Sequence, residues 1–200
     1  MLASERLSDI LQSLASRSPT PGGGAVAAVT LGLAAGLASM VVEYSRGKKK
    51  LAEYAPLHDE ALAALTETRQ LSLTLADRDA AAYHELNALQ KLPEDDPTRV
   101  AAWHGAVDRA IDVPSRVLVR SLDVLDWCDR LVGKSNEYLR SDLAIAAVLA
   151  EAAAASAAWN VRINLPLLSD GTRRSLLEQS LDAQLPAARA LRDRIEQACR

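Results

Sequence analysis

Three consecutive glycines, Gly22, Gly23 and Gly24, sit behind two prolines in the run SPTPGGGAVAAV, from Ser18 to Val29. Small apolar residues then continue to about Met40. The prolines stop a preceding helix, because each lacks the N–H that a helix interior uses. A triple glycine costs conformational entropy on folding. A chain that keeps one directly before a helix keeps it for close approach. The approaching partner is another backbone, or a ligand meeting the free N–H groups of the helix start. The chain must therefore fold around a helix that is entered through a glycine turn and packed closely.

The rest of the composition agrees. Hydrophobic residues make up 49% of the 200, yet aromatics only 4%, and Phe is absent. Alanine and leucine dominate and β-branched runs are scarce, which is the composition of an all-α protein packed through small side chains. The length suits one domain over residues 1–200. A net charge of −3 offers no electrostatic footprint for nucleic acid or an anionic membrane. Cys128 and Cys199 have no CxxC spacing and suit a reducing cytosol rather than a disulfide framework. The N-terminal MLASERLSD is too charged for a signal peptide, so a cytoplasmic location is expected. Gly24 to Val42 approaches membrane-spanning length, but its Ala, Gly and Ser content favours a buried core helix over a lipid-facing span.

Apolar spacing predicts about six helices in a multihelical bundle. The first carries Leu7, Ile10, Leu11 and Leu14 and ends near Ser16. The second runs from about Gly24 to Tyr44, with Gly32 and Gly36 on one face for a close neighbour, and leads into the basic turn RGKKK. Pro56 opens a third, reaching about Gln90. The fourth runs from near Thr98 to Leu131, where Pro114 is expected to kink or split it. Ser141 is the expected N-cap of the fifth, which ends near Asn164. The last spans about Arg173 to Cys199, with Pro186 expected to bend or interrupt it. No internal repeat and no strand pattern is found.

The polar residues that can carry chemistry gather at the helix breaks. Gly22 to Gly24 form either an anion or heteroatom cradle or a tight turn for packing; no GK[ST] follows, so this is not a Walker loop. Lys48, Lys49 and Lys50 either complement the dipole of a helix C-terminus or meet an anionic ligand. Asp77 and Asp79 interrupt an apolar pattern, and a mid-helix carboxylate needs solvent or a partner. Asp79 and Tyr83 share a face. Asn136 precedes Asp142 by six residues, and Asp142 in a first turn gains from the helix dipole. Asn160 and Asn164, four apart in WNVRIN, are poor helix formers whose amides need partners if buried. His58, His84 and His104 have no metal-ligand spacing, and no metal site is expected.

Taken in order, TPGGGAVAA at Thr20, GKKK at Gly47, DRDAAAY at Asp77, LP at Leu92, VP at Val113, N-x5-D from Asn136 to Asp142, and NVRIN at Asn160 resemble the cyclodeaminase/cyclohydrolase family. That family comprises the C-terminal domain of formiminotransferase-cyclodeaminase and stand-alone bacterial relatives. The resemblance covers roughly Leu7 to Asp170. It implies an all-helical, homodimeric folate enzyme with a tetrahydrofolate derivative as substrate, no separate cofactor, and neither nucleic acid nor membrane as partner. The implied reaction is hydrolysis of 5,10-methenyltetrahydrofolate to 10-formyltetrahydrofolate, favoured because no formiminotransferase domain is present. The alternative is release of ammonia from 5-formimidoyltetrahydrofolate. The implied catalytic groups are Asp79, Asp142 and Lys48, with Gly22, Gly23, Gly24, Lys49, Asn136, Asn160 and Asn164 binding substrate.

Three positions depart from the family pattern. Ala25 stands where serine often follows the glycines, Glu94 where lysine often follows LP, and Ala157 in a region that often carries glycine. The first two motivate a further alternative, a catalytically silent helical interaction protein of the same fold.

Overall fold

The computed structural model describes residues 4–200; Met1 to Ala3, part of the stretch read for a leader and of the single-domain span, lie outside the described residues. Among the described residues there are six α-helices and no strand: α1 (Leu7–Leu14), α2 (Gly23–Glu43), α3 (Ala55–Gln90), α4 (Pro97–Leu131), α5 (Arg140–Asn164) and α6 (Gly171–Ala198). Short 3-10 turns at Lys49–Tyr54, Glu137–Leu139 and Leu165–Leu167 join them.

Helix α2 is the axis of the fold. Six of its ten buried residues are alanine and one is Gly24, with Leu31, Val41 and Val42 as the larger fillers. Small side chains let neighbours approach, and the contacts show how closely. A β-carbon at Gly32 would overlap the Ser72 hydroxyl on α3, and one at Gly36 would touch Arg69 Cδ at 3.6 Å. Later residues of α2 thus face earlier residues of α3, so the two run antiparallel. Helix α5 also runs antiparallel to α2. Gly23 faces Asn160 near its end, and Ser45 Oγ accepts the Asn136 N–H at 2.8 Å just before its start. Helix α5 is alanine-rich for the same reason: Ala146, Ala147, Ala150, Ala153, Ala154, Ala157 and Ala158 are fully buried. Helix α4 packs against α3 and α5, and α6 lies on α5.

The helix ends follow local chemistry. Asp96 caps α4 by accepting from the N–H groups of Thr98 and Arg99, with Pro97 in the first turn. Asp170 caps α6 through Thr172 and Arg173. Two expectations need correction. Ser141 does not cap α5: the helix begins at Arg140 behind a 3-10 turn, and the cap there is Asn136, whose Oδ1 accepts the Tyr138 N–H. Pro114 and Pro186 do not split their helices, since α4 and α6 run unbroken through them. For Pro114 the reason is visible. A proline leaves the carbonyl four residues earlier without its helical donor. Asn164 Nδ2 supplies one, donating to the Ala110 carbonyl at 3.1 Å.

Candidate active site

The N-terminus of α2 has no cap of its own. Gly22 occupies the cap position and has no side chain to accept the free N–H groups of the first turn. The acceptor comes instead from α3: the Asp79 carboxylate takes a hydrogen bond from the Ala25 N–H. This is the bond an N-cap aspartate ordinarily makes, supplied by another helix. Gly24 makes it possible, because a β-carbon there would overlap both carboxylate oxygens of Asp79. Burial pushes the Asp79 carboxyl above its ordinary range, and the Ala25 N–H offsets that only in part.

Asp79 forms one wall of a cleft of about 410 Å³ between the ends of α2, α3 and α5. Gly22, Gly23 and Gly24 form the second wall, and Asn160 and Asn164 the third. Asn160 Nδ2 donates to the Ser156 carbonyl at 3.0 Å. That carbonyl can only accept, so the amide orientation is determined. Asn160 Oδ1 therefore faces Gly23 as an acceptor, 3.6 Å from where a β-carbon would stand. Asn164 is more tightly committed, its Nδ2 donating to both the Ala110 carbonyl and the Asn160 carbonyl, the latter at 2.9 Å. At the rim, Thr20 Oγ1 and His84 Nε2 lie 2.9 Å apart, and Tyr83 meets His84 edge-on.

The other expected site residues lie elsewhere. Lys48 and Lys49 are exposed beyond the far end of α2, in a hollow of about 720 Å³ shared with Arg46 and Asp59. Lys48 Nζ sits 6.0 Å from the centre of the Tyr138 ring. Asn136 is buried at the α2–α5 corner, and Asp142 is half-buried in the first turn of α5. Helix α2 has 21 residues, so these two groups are about 30 Å apart within one chain. The ten residues form two clusters.

Asn87 and Gln90 also line the cleft and were not singled out from the sequence. Their signal was present: residues 79, 83, 87 and 90 follow the spacing of one helical face, and all four are polar. A larger, more open groove of about 1210 Å³ runs between α3 and α4, but it holds none of the expected residues. Among its arginines, Arg109 is paired with Glu85 at 2.6 Å, and Arg120 with Glu67 and Asp123 at 3.4 and 3.3 Å.

A small all-helical domain with an acid of raised pKa held at a helix N-terminus, beside a free amide acceptor, defines a class of protein equipped for proton transfer on a polar small molecule. Comparison with known proteins narrows the class. The family model described as formiminotransferase-cyclodeaminase matches residues 6–183, and the chain belongs to that family.

The chain is 31% identical over 199 residues to a methenyltetrahydrofolate cyclohydrolase of Methylorubrum extorquens, covering 98% of this chain and 96% of that protein. It is 28% identical over 192 residues to the formimidoyltransferase-cyclodeaminase of Gallus gallus, covering 94% of this chain but 36% of that longer protein. Among solved structures, the formiminotetrahydrofolate cyclodeaminase of Thermotoga maritima superposes with a TM-score of 0.84 at 28% identity, covering 100% of this chain and 96% of that one.

Proposed function

We propose that this protein opens 5,10-methenyltetrahydrofolate with water to give 10-formyltetrahydrofolate, acting in the cytoplasm as a homodimer. The observation that carries this reading is Asp79, a half-buried carboxylate of raised pKa at the mouth of a glycine-walled cleft. The near full-length likeness to a methenyltetrahydrofolate cyclohydrolase supports it.

The chemistry needs a base and then an acid. Water adds to the methenyl carbon and gives one proton to Asp79. The tetrahedral carbon then breaks its bond to N5. N5 takes the proton back from Asp79, and the formyl group remains on N10. The second proton of the water is released to solvent, balancing the positive charge that the methenyl cation loses. A carboxyl whose pKa is raised toward the working pH exchanges protons in both directions more readily than an ordinary aspartate. Its ionised form also faces the delocalised cation of the bound substrate and stabilises it. In this reading Asn160 Oδ1 accepts from the pterin edge, and the N–H groups of Gly23 and Gly24 approach the ring without obstruction. Lys48 and Lys49 meet the anionic glutamate tail or the reacting centre, Asn136 and Asn164 hold their surroundings in place, and Asp142 is a second carboxylate for proton transfer.

The alternative is ammonia release from 5-formimidoyltetrahydrofolate, favoured by the likeness to the Thermotoga maritima cyclodeaminase. There N10 attacks the formimidoyl carbon and the same carboxyl protonates the departing nitrogen. An absorbance assay separates the readings. Loss of the methenyl chromophore, above the spontaneous rate, supports the hydrolase. Its appearance from the 5-formimidoyl compound supports the deaminase. A folded protein that does neither and binds no reduced folate is the silent interaction protein.

A further inference from the structure

The groove of about 1210 Å³ between α3 and α4 has no part in the site described so far. Its four acids are all paired: Glu85 with Arg109 at 2.6 Å, Glu67 and Asp123 with Arg120, and Asp112 with Arg173 at 3.2 Å. Arg78 and Arg116 also line it, both exposed. Among the described residues neither has an ion pair or a hydrogen bond. The groove therefore holds two guanidinium groups that nothing in the fold balances.

Their placement is regular. The Glu85–Arg109 and Glu67–Arg120 pairs join later residues of one helix to earlier residues of the other, so α3 and α4 run antiparallel. Arg78 stands seven residues before Glu85 on α3, and Arg116 seven residues after Arg109 on α4. Seven residues are two turns, about 10 Å, and return to the same helix face. The two arginines thus stand at one level on opposite sides of the groove. Two turns away, the same two faces carry an ion pair. Where that level sets a carboxylate against a guanidinium, this one sets two guanidinium groups. Like charges so placed repel, and a carboxylate between them serves both with charge-assisted hydrogen bonds. The walls beside them are apolar, with Leu71, Val113 and Val119 among the lining residues. The fitting ligand is an anion with an apolar body.

The groove also joins the cleft. Ala82 lines both, and Arg78 precedes Asp79 in the chain. Asp79 is the one charged residue among those lining the cleft, so the cleft suits a neutral or cationic group and offers no cation to a carboxylate. A folate whose one-carbon unit meets Asp79 carries its carboxylates beyond a benzoyl ring and an amide. We infer that the α3–α4 groove holds this p-aminobenzoylglutamate tail, with the ring on the apolar walls and the glutamate carboxylates between Arg78 and Arg116. Within one chain Lys48 and Lys49 lie about 30 Å from the cleft, so the first glutamate falls to the arginines. The choice of this anion rests on the folate reading; the unbalanced guanidinium pair does not.

The test uses the tail itself. Calorimetry follows p-aminobenzoylglutamate, and separately inorganic sulfate, binding to the wild type, to Arg78→Gln and Arg116→Gln singly, and to the double variant. Arg130→Gln is the control, since Arg130 lies outside the groove and pairs with Glu60. The double variant is expected to bind the fragment at least about tenfold more weakly and each single variant to fall between. The control is expected to bind like the wild type. Neither arginine has a partner to lose, so melts of the variants are expected to match the wild type. With 5,10-methenyltetrahydrofolate the double variant is expected to raise KM at least about tenfold and leave kcat within about twofold, the signature of lost uniform binding. A wild type that binds no fragment at millimolar concentration, or a double variant that binds it equally, overturns the assignment. So does sulfate binding as tightly as the fragment, which marks a general anion site only. If fragment binding depends on the arginines while the wild type turns over neither folate, the proposed reaction fails and the tail site stands. If the wild type is active and the double variant moves neither KM nor fragment binding, the tail site fails and the reaction stands.

Discussion

Asp79 lies so close to Gly24 that any side chain at position 24 would occupy the space of the carboxylate. One aspartate thereby closes the start of α2, and one missing β-carbon admits it. Gly24→Ala forces the carboxylate away from the Ala25 N–H. Overpacking of this kind costs about 1–3 kcal/mol, so thermal melts are expected to show a clear loss of stability, together with at least about a tenfold loss of turnover. Gly23→Ala is the control: its β-carbon would stand 3.6 Å from Asn160 Oδ1, an ordinary contact, and its melting temperature is expected to stay near that of the wild type.

Asn164 supplies the donor that Pro114 withholds from the Ala110 carbonyl. Asn164→Leu leaves that carbonyl without it and is expected to cost about 1–3 kcal/mol in denaturant unfolding. Pro114→Ala restores a backbone N–H four residues after Ala110. In that background Asn164→Leu is expected to cost measurably less, so the two substitutions are non-additive. Strict additivity would show that the amide and the missing N–H are unrelated.

These two relationships mark where the sequence was legible and where it was not. Helix number and most helix bounds follow from apolar spacing, which needs no tertiary information. Pro114 was expected to kink or split α4; the helix is not split, and the compensating donor, Asn164, lies 54 residues beyond the Ala110 carbonyl it serves, which no local pattern shows. Ser141 was expected to cap α5 because a good cap residue stands there, whereas the observed cap, Asn136, acts one short turn earlier. The clustering of Asp79 with the glycines and Asn160 was expected only through family order. The approach itself leaves just the unusual glycine run as a trace. Nor does linear order state that Lys48 and Asp142 lie at the opposite end of α2; that follows from α3 and α5 both running antiparallel to it.

The raised pKa of Asp79 carries a sign that can be measured. Burial makes the folded state hold this proton more tightly than the unfolded chain, whose reference value is 3.8. Its contribution to stability is therefore present in acid and declines as pH rises from that reference through the raised folded value. Asp79→Asn removes the dependence, so its stability relative to the wild type is expected to grow across that window. In kcat/KM profiles the wild type loses activity on the acidic side as the carboxylate is protonated, at a pH above the ordinary aspartate range. An acidic limb at the ordinary aspartate value would contradict Asp79 as the base.

Asp142 and Asp79 are separated by nearly the length of α2 within one chain, so replacing either leaves the immediate surroundings of the other intact. Asp142→Asn is expected to reduce turnover by at least about a hundredfold if Asp142 transfers a proton, with the acidic limb set by Asp79 unmoved. Wild-type turnover in Asp142→Asn would remove it from the reaction and leave it a first-turn charge that complements the helix dipole.

The most direct measurement follows the absorbance of 5,10-methenyltetrahydrofolate with wild-type protein and with Asp79→Asn, each corrected for spontaneous hydrolysis and each shown to be folded by its melt. The wild type is expected to consume the chromophore, and Asp79→Asn to do so at least about a hundred times more slowly. Equal rates in the two proteins would contradict Asp79 as the group that carries the reaction.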